Sequence, residues 1–182
     1  MPLDRVQLGH FQLLDLIGQG RKGEIYGARD TRPQQEHRQL AIRILRTIST
    51  GDQISEDGWQ SRQRELHALT QLDHPHILPI LEVGEERFND TTLHYLVMPL
   101  CSEGSFVDWL QQRHGTHPLS PQETTYFIQQ ASAALQYLHD RGVLHQDVTP
   151  TNFLIRAWRG EAALPDLLLT DFGPGALTVG AN

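Results

Sequence analysis

The chain has 182 residues, enough for an ordinary domain with a real core, and its 38% hydrophobic and 20% charged content is globular rather than disordered. A formal net charge of -7 gives no basic footprint for nucleic acid or for an anionic membrane surface. Cys101 is the single cysteine, which excludes an internal disulfide, and no apolar run approaches a membrane span or a signal peptide. We therefore expect a cytoplasmic domain.

Strand patterns dominate the first part of the chain. Five segments have the alternating or apolar patterns that predict β-strands: 11–20, 24–30, 39–46, 77–86 and 92–100. Segment 61–72 contains helix-forming residues with Leu66, Leu69 and Leu72 on one side, so a helix is predicted between the third and fourth strands. The expected unit is an antiparallel sheet of five strands with one helix.

Helical patterns dominate the second part, and the clearest one covers 120–142. Ser120 can cap the helix N-terminus, Glu123 completes a capping box, and Gly142 can end the helix. Its apolar stripe consists of Phe127, Ala131, Ala134, Leu135 and Leu138. Shorter elements are predicted on either side of it: a helix at 105–115 and strands at 152–156 and 167–172.

A glycine-rich stretch, "GQGRKG", places Gly18, Gly20 and Gly23 in the pattern G-x-G-x-x-G. In a dinucleotide-binding fold this pattern ends a strand and opens a helix. Here a β-rich segment follows, so the glycines lie between two strands. The pattern alone is equally compatible with an ordinary glycine-rich turn and with a hairpin whose backbone N–H groups approach phosphates.

Further motifs follow in a fixed order along the chain. "LAIR" (40–43) lies on the third predicted strand, Glu65 on the next helix, "LHQDVTPTNFLI" (144–155) after the long helix, and "TDFG" (170–173) near the end. Together with the glycine hairpin they resemble the V-A-I-K, H-R-D-L-x-x-x-N and D-F-G motifs of protein kinases. The chain is most similar to the bacterial serine/threonine kinases of eukaryotic type.

The resemblance implies an α+β fold of two lobes. Residues 1–101 would form a complete N-lobe, with a five-stranded antiparallel sheet, one helix, the glycine-rich loop and the hinge. Residues 102–182 would form a partial, helical C-lobe that ends just after D-F-G.

The resemblance also implies roles in phosphoryl transfer, which relies mainly on positioning and charge neutralisation. Asp147 would accept the proton of the substrate hydroxyl, Glu65 would pair with Arg43 beside the phosphates, and Asn152 and Asp171 would hold Mg²⁺. The alternatives are ordinary ones: a loop carboxylate that caps N–H groups, a solvated helix charge, and turn residues.

ATP binding is implied for a larger set of residues. Met98 would guard the back of the adenine pocket, and Pro99 to Cys101 would form the hinge. Ile25, Ala41 and Leu154 would sandwich the adenine, although their pattern also fits plain core. The complete set expected to contact ATP is Ile17, Gly18, Gln19, Gly20, Arg21, Lys22, Gly23, Glu24, Ile25, Ala41, Arg43, Met98, Pro99, Cys101 and Leu154.

Three positions depart from the kinase pattern. Arg43 replaces the lysine that contacts the phosphates, which keeps the charge but changes its geometry. Gln146 replaces the arginine that would bind the phosphate of a phosphorylated activation loop, a change that concerns regulation. Thr149 replaces a lysine that contacts the γ-phosphate, so transition-state stabilisation is weaker. Lys22 is the only lysine in the chain, so Arg43 fits a general loss of lysine.

The pattern also implies a continuation after Gly173, with an activation loop, an A-P-E motif and further helices, one of which would cover the apolar stripe and anchor His145. The chain reads "PGALTVGAN" from Pro174. A gene fragment, a frame-disrupted gene and a deliberately shortened chain are all compatible with this. The predicted function is an ATP-dependent serine/threonine kinase domain that acts on a protein hydroxyl. The alternatives are an impaired kinase, a nucleotide-binding or docking module, and a product without function.

Overall fold

The computed structural model of the chain describes residues 3, 5–20, 23–35, 38–45, 64, 66–89, 91–114, 118–156 and 164–171. The chain divides into two compact units. Unit 1 comprises Met1–Leu72 and Pro79–Leu100, and unit 2 comprises Asp73–Leu78 and Cys101–Asn182. Among the helices within the described ranges, none is long and apolar enough to cross a membrane.

Unit 1 is built on an antiparallel sheet. Its strands are β1 (Gln7–Leu8), β2 (Phe11–Gly20), β3 (Gly23–Asp30), β4 (Gln39–Leu45), β5 (Glu82–Phe88) and β6 (Thr91–Pro99). They lie in the order β1-β2-β3-β4-β6-β5. Of the predicted helix 61–72, the described residues 64 and 66–69 are helical.

The sheet has six strands rather than the predicted five. The added strand, β1, has two residues and folds back onto β2 through Gly9, whose φ of 55° lies in the left-handed region. Two residues are too few to show an alternating pattern. The predicted strand 77–86 starts late, at Glu82, because the preceding stretch contains Pro79, which has no N–H to donate to a ladder.

One face of the sheet carries a closed apolar core. Its buried residues come from the N-terminal segment and from alternate positions of β2, β3, β4 and β6: Leu3, Leu8, Phe11, Leu13, Tyr26, Ala28, Leu40, Ile42, Ile44, Tyr95 and Val97. Because side chains alternate along a strand, the residues between these positions lie on the opposite face. Leu3 and Leu8 help to cover the core face, so β1 belongs to the packing of unit 1.

A glycine in β5 makes room for one of these core residues. Gly84 lies opposite Tyr95 in the sheet, and a Cβ added there would overlap the Tyr95 ring, with Cε2 only 2.6 Å away. Tyr95 is 4% exposed and packs edge-on against Phe11, so its ring has nowhere to move. The structure therefore requires glycine at this position.

We expect Gly84→Ala to lower the free energy of unfolding by about 1–3 kcal/mol, the usual effect of overpacking. Gly27→Ala is the matched control, because the nearest atom to a Cβ added at Gly27 is 3.8 Å away. Urea-induced unfolding of both variants provides the measurement. Equal stability of the two variants would show that Tyr95 can leave its position freely.

Unit 2 combines helices with a small hairpin. Its elements are α1 (Phe106–His114), α2 (Pro121–His139), a 3₁₀ helix (Pro150–Asn152), β7 (Phe153–Ile155) and β8 (Leu167–Leu169). Strands β7 and β8 are antiparallel, with Leu154 opposite Leu168. Leu78 N–H donates to the carbonyl of Leu169, so the 73–78 segment is fastened to β8.

Helix α2 has the ends that its sequence predicts. Ser120 and Glu123 form the capping box, with Glu123 N–H donating to Ser120 Oγ at 3.2 Å and Ser120 N–H donating to Glu123 Oε2 at 2.8 Å. At the other end Gly142 has a φ of 70°, and Val143 N–H donates to the carbonyl of Leu138 at 3.0 Å. This is a Schellman motif, which needs glycine at its left-handed position.

The apolar stripe of α2 is largely covered within unit 2. Phe127, Ala134 and Leu138 are buried. The centroid of the Phe127 ring lies 4.7 Å from the ring centroid of Phe106 and 5.5 Å from that of Trp109. The expectation that a helix beyond the chain covers these three residues was therefore wrong. Aromatic residues of α1 contact Phe127, and strand β8 packs against α2.

Candidate functional site

The glycine-rich hairpin of unit 1 closes at a pair of glycines. Gly20 pairs with Gly23, followed by Gln19 with Glu24 and Gly18 with Ile25. Gly23 has a φ of 138°, which an L side chain rarely adopts, so the turn itself requires glycine here. The loop residues predicted to contact ATP, Arg21 and Lys22, lie outside the described residues.

Gly18 serves a different purpose from Gly23. A Cβ added at Gly18 would meet Ile25 at 3.7 Å, an ordinary van der Waals contact, so the protein's own packing does not require glycine there. A glycine that the fold does not need leaves the backbone open to close approach from outside. A backbone whose N–H groups approach phosphates closely needs such an open position.

The register of the strands brings five predicted residues of unit 1 onto one face. Gly18 lies opposite Ile25, Ile25 opposite Arg43, and Ala41 opposite Met98, and directly opposed residues share a face. The neighbouring positions on the same strands point into the apolar core on the other face. Sequence alternation alone could have assigned this face.

Two further predicted residues extend this arrangement. Ile17 is 52% exposed, and its Cγ2 would lie 3.9 Å from a Cβ added at Gly27, which is opposite Ala41. An apolar side chain therefore stands exposed beside the face that carries Ala41. Arg43 is half-buried on the same face. Its predicted partner, Glu65, lies outside the described residues, so their pairing stays a prediction.

The predicted hinge runs from the end of β6 into unit 2. Pro99 is the last residue of β6, opposite Leu40, and Leu100 N–H donates to the carbonyl of Gln39 at 3.1 Å. Cys101 is half-buried, and its carbonyl accepts a long bond of 3.4 Å from Gly104 N–H. Burial raises the pKa of the Cys101 thiol, with Arg156 opposing the shift, so the thiol is a poor nucleophile near neutral pH.

The 145–152 loop of unit 2 is organised around a buried histidine. His145 is 2% exposed, and its Nε2 lies 2.8 Å from the carbonyl of Thr170. Its Nδ1 accepts a 3.4 Å bond from the N–H of Asp147. A carbonyl needs a donor and an N–H needs an acceptor, so these partners assign the tautomer with the proton on Nε2.

His145 was expected to be anchored by an aspartate beyond the chain. The Thr170 carbonyl is an anchor within unit 2 that sequence reasoning missed. A backbone carbonyl gives no side-chain signal, so only the position of Thr170 directly before Asp171 could have pointed to it.

The side chain of Asn152 joins the predicted catalytic and metal residues. Its Nδ2 donates to the carbonyl of Asp147 at 2.8 Å and to Asp147 Oδ2 at 3.2 Å. The backbone carbonyl of Asn152 accepts from Thr170 N–H at 2.9 Å. The chain segments that carry Asp147, Asn152 and Asp171 are therefore tied together, because Thr170 bonds to His145 on one side and Asn152 on the other.

Two residues of this site have strained backbones. Gln146 has a φ of 63° and Asp171 a φ of 70°, both in the left-handed region. Such conformations cost of order 1–3 kcal/mol for a non-glycine residue, less for aspartate, and they cluster at functional sites. The hydrogen bonds of the neighbouring residues, His145 and Thr170, hold the backbone in place here.

Asn152 and Asp171 fit the expectation of a magnesium site in their chemistry. The Asn152 amide nitrogen is directed at Asp147, which leaves its carbonyl oxygen as the ligand atom, and Asp171 adds a carboxylate. Mg²⁺ prefers such oxygen ligands and usually completes its shell with water and phosphate. Within the described ranges no group of three or more His, Cys, Asp or Glu side chains could hold a metal ion alone.

The remaining predicted residues of unit 2 lie beside this loop. Leu154 is half-buried in β7 and forms an isolated bridge with Ser105, which precedes α1. Thr149 occupies the N-cap position of the 3₁₀ helix, but its side chain makes no capping hydrogen bond. Its hydroxyl is instead hydrogen-bonded to the hydroxyl of Thr151 at 2.8 Å. Position 149, where the kinase pattern has a phosphate-binding lysine, thus carries a short side chain whose hydroxyl is bonded to a neighbouring residue.

Comparison with known proteins gives a consistent result. The sequence profile of the protein kinase domain matches residues 11–181. The chain is 35% identical over 153 residues to the serine/threonine-protein kinase PknD of Mycobacterium tuberculosis, covering 83% of this chain and 21% of PknD. It is 33% identical to CBL-interacting protein kinase 22 of Oryza sativa, covering 94% of this chain and 38% of that protein.

Solved structures agree with the fold. A double mutant of the PknI kinase domain of Mycobacterium tuberculosis superposes with a TM-score of 0.70 at 24% identity, over 94% of this chain and 63% of that one. Rad53 residues 1–466 in complex with AMP-PNP superposes with a TM-score of 0.69 at 25% identity, over 90% of this chain and 38% of that one. The chain spans about a fifth of the length of the bacterial curated relatives, 21% of PknD and 22% of Mycobacterium leprae PknB.

Proposed function

The chain belongs to the protein kinase domain family, and from this membership we propose that it transfers the γ-phosphoryl group of Mg-ATP to a serine or threonine hydroxyl of a protein. One observation carries the proposal. The side chain of Asn152 is bonded to Asp147 while its backbone is bonded to Thr170, next to Asp171. Three oxygen-bearing side chains with the chemistry of the reaction are thus gathered in one unit.

Asp147 is the proposed proton acceptor. Asn152 Nδ2 donates to its Oδ2 and His145 accepts from its N–H, so both the carboxylate and the backbone of Asp147 have fixed partners. A carboxylate held in this way can orient a substrate hydroxyl and receive its proton as the oxygen attacks phosphorus. The half-buried position of Asp147 leaves it accessible to a substrate.

Asn152 and Asp171 are the proposed metal ligands. When bound, Mg²⁺ neutralises phosphate charge and orients the phosphates for transfer. This chain would hold the two ligand residues near each other, because Thr170, which precedes Asp171, is hydrogen-bonded to both His145 and Asn152. The left-handed backbone at Asp171 sets the direction from which its carboxylate is presented.

Unit 1 supplies the proposed nucleotide contacts. The backbone at Gly18, Gly20 and Gly23 would approach the phosphates, and the face with Ala41 and Met98 would contact the adenine. We propose that residues 1–101 act as the N-lobe and 102–182 as the C-lobe of the kinase. The protein substrate is the partner implied by the reaction, as its kinase relatives suggest.

A second candidate function is nucleotide binding without efficient transfer. It is favoured by Thr149, whose hydroxyl is bonded to Thr151 where the family pattern has a cationic side chain. Arg43 keeps a cation at its position but in a broader, planar group. Both changes weaken charge stabilisation in the transition state more than they weaken ground-state binding.

The proposed metal site is tested by calorimetric titration with ATP, in the presence and absence of Mg²⁺. We expect Mg²⁺ to tighten ATP binding to the unaltered chain, and Asp171→Ala to weaken binding in Mg²⁺ about 10- to 100-fold, the range for disturbed metal sites. Asp73→Ala, which removes an exposed carboxylate from the same unit, is the control. Equal ATP affinity with and without Mg²⁺ would count against the metal assignment.

A further inference from the structure

A chain of hydrogen bonds connects the N-terminal segment (the described residues 3 and 5–8) to the glycine hairpin. Leu3 N–H donates to the Tyr26 hydroxyl at 3.2 Å, and this hydroxyl donates to Glu24 Oε2 at 3.0 Å. The other oxygen of Glu24 accepts from Gln19 Nε2 at 3.3 Å. Both strands of the hairpin are thereby linked, one residue pair from the glycines that close it.

The hydroxyl of Tyr26 is held in place by the burial of its ring. Tyr26 is 1% exposed and belongs to the apolar core of unit 1, so its ring cannot swing away. Its bond to a carboxylate is of the charge-assisted kind, stronger than one between neutral groups. The hairpin end is therefore fastened to the core from the face opposite to Ile25 and Arg43.

The N-terminal segment is itself firmly packed. Leu3 is 8% and Leu8 0% exposed, and the carbonyl of Val6 accepts from Leu13 N–H at 2.9 Å. A donor on this segment thus holds the Tyr26 hydroxyl in the orientation that presents its proton to Glu24. The segment reaches the hairpin through hydrogen bonds of Tyr26, a residue of the apolar core.

We propose that Tyr26 is a positioning residue for the nucleotide phosphates, and that its hydroxyl transmits the order of the N-terminal segment to the glycine hairpin through Glu24 and Gln19. The proposal rests on the proposed nucleotide site. The described ends of the hairpin strands, 18–20 and 23–25, lie directly beside these bonds, so their local stability depends on them. Pre-organisation of this kind improves affinity because less freedom is lost on binding.

Tyr26→Phe removes the hydroxyl and keeps the ring. Tyr95→Phe is a matched control, since Tyr95 is 4% exposed in the same apolar core and its hydroxyl lies near Gly9. Two measurements are made on the unaltered chain and on both variants: hydrogen exchange of the hairpin amides without nucleotide, and calorimetric titration with Mg-ATP and with adenosine.

We expect Tyr26→Phe to speed exchange at the hairpin amides several-fold and to weaken Mg-ATP binding about three- to tenfold, the effect of one lost hydrogen bond. Adenosine, which has no phosphates, should bind to it as tightly as to the unaltered chain. Tyr95→Phe should change none of these values. Unchanged exchange in Tyr26→Phe would overturn the proposal, as would equal losses of ATP and adenosine affinity. Absence of ATP binding to the unaltered chain, with exchange altered as expected, would instead reject the nucleotide site.

Discussion

Asp147→Asn is expected to lower the rate of phosphoryl transfer about 10²–10⁴-fold, the usual contribution of a general acid or base. The amide has the shape of the carboxylate and can still accept a hydrogen bond from Asn152, whose second bond goes to the backbone carbonyl of residue 147. The loop should therefore keep its structure and lose only the group that receives the proton. Mg-ATP affinity should stay within about twofold, because the lost interaction belongs to the transition state.

Initial rates of labelled phosphate transfer, with calorimetric affinities beside them, provide the test. Asp73→Asn is the control, an exposed aspartate of the same unit. A variant whose rate stays within tenfold of the unaltered chain would remove Asp147 from the role of proton acceptor. A large loss of ATP affinity would show that the substitution disturbs the loop.

His145→Ala is expected to destabilise unit 2 by about 2–4 kcal/mol. The substitution takes the donor from the carbonyl of Thr170 and the acceptor from the N–H of Asp147, and it leaves a cavity where a side chain was 2% exposed. Buried backbone groups without partners are costly. The strained backbones at Gln146 and Asp171 also lose a neighbour that holds them.

Urea-induced unfolding of His145→Ala measures this effect, with the exposed His139→Ala as control. The magnesium dependence of ATP binding should fall as well, because the connection between the loop and Asp171 runs through Thr170. A stability equal to that of His139→Ala would mean that the loop is held mainly by Asn152.

Local chemistry in the sequence was sufficient to predict several elements. The capping box of Ser120 and Glu123 and the stop at Gly142 are short-range features, and each forms as the side-chain types predict. The alternation along β3 and β4 would also have placed Ile25 and Arg43 on one face and Tyr26 on the other, because strand periodicity is fixed by backbone geometry.

Contacts between distant residues were harder to predict. Strand β1 depends on pairing with Phe11 and not on its own two residues. The apolar stripe of α2 gave no indication of what covers it, and Phe106 and Trp109 proved to be its neighbours. Likewise the anchor of His145 is a backbone carbonyl, and the partner of the Tyr26 hydroxyl is a backbone N–H at Leu3. Neither carries a side-chain signal.

The central claim, phosphoryl transfer to a protein hydroxyl, is tested most directly with γ-labelled ATP, Mg²⁺ and a protein rich in serine and threonine, followed by identification of the labelled residues. The account predicts label on serine or threonine that requires Mg²⁺ and is lost in Asp147→Asn. Tight, magnesium-dependent ATP binding without any transfer of label would contradict it and would identify the chain as a nucleotide-binding member of the kinase family that performs no transfer.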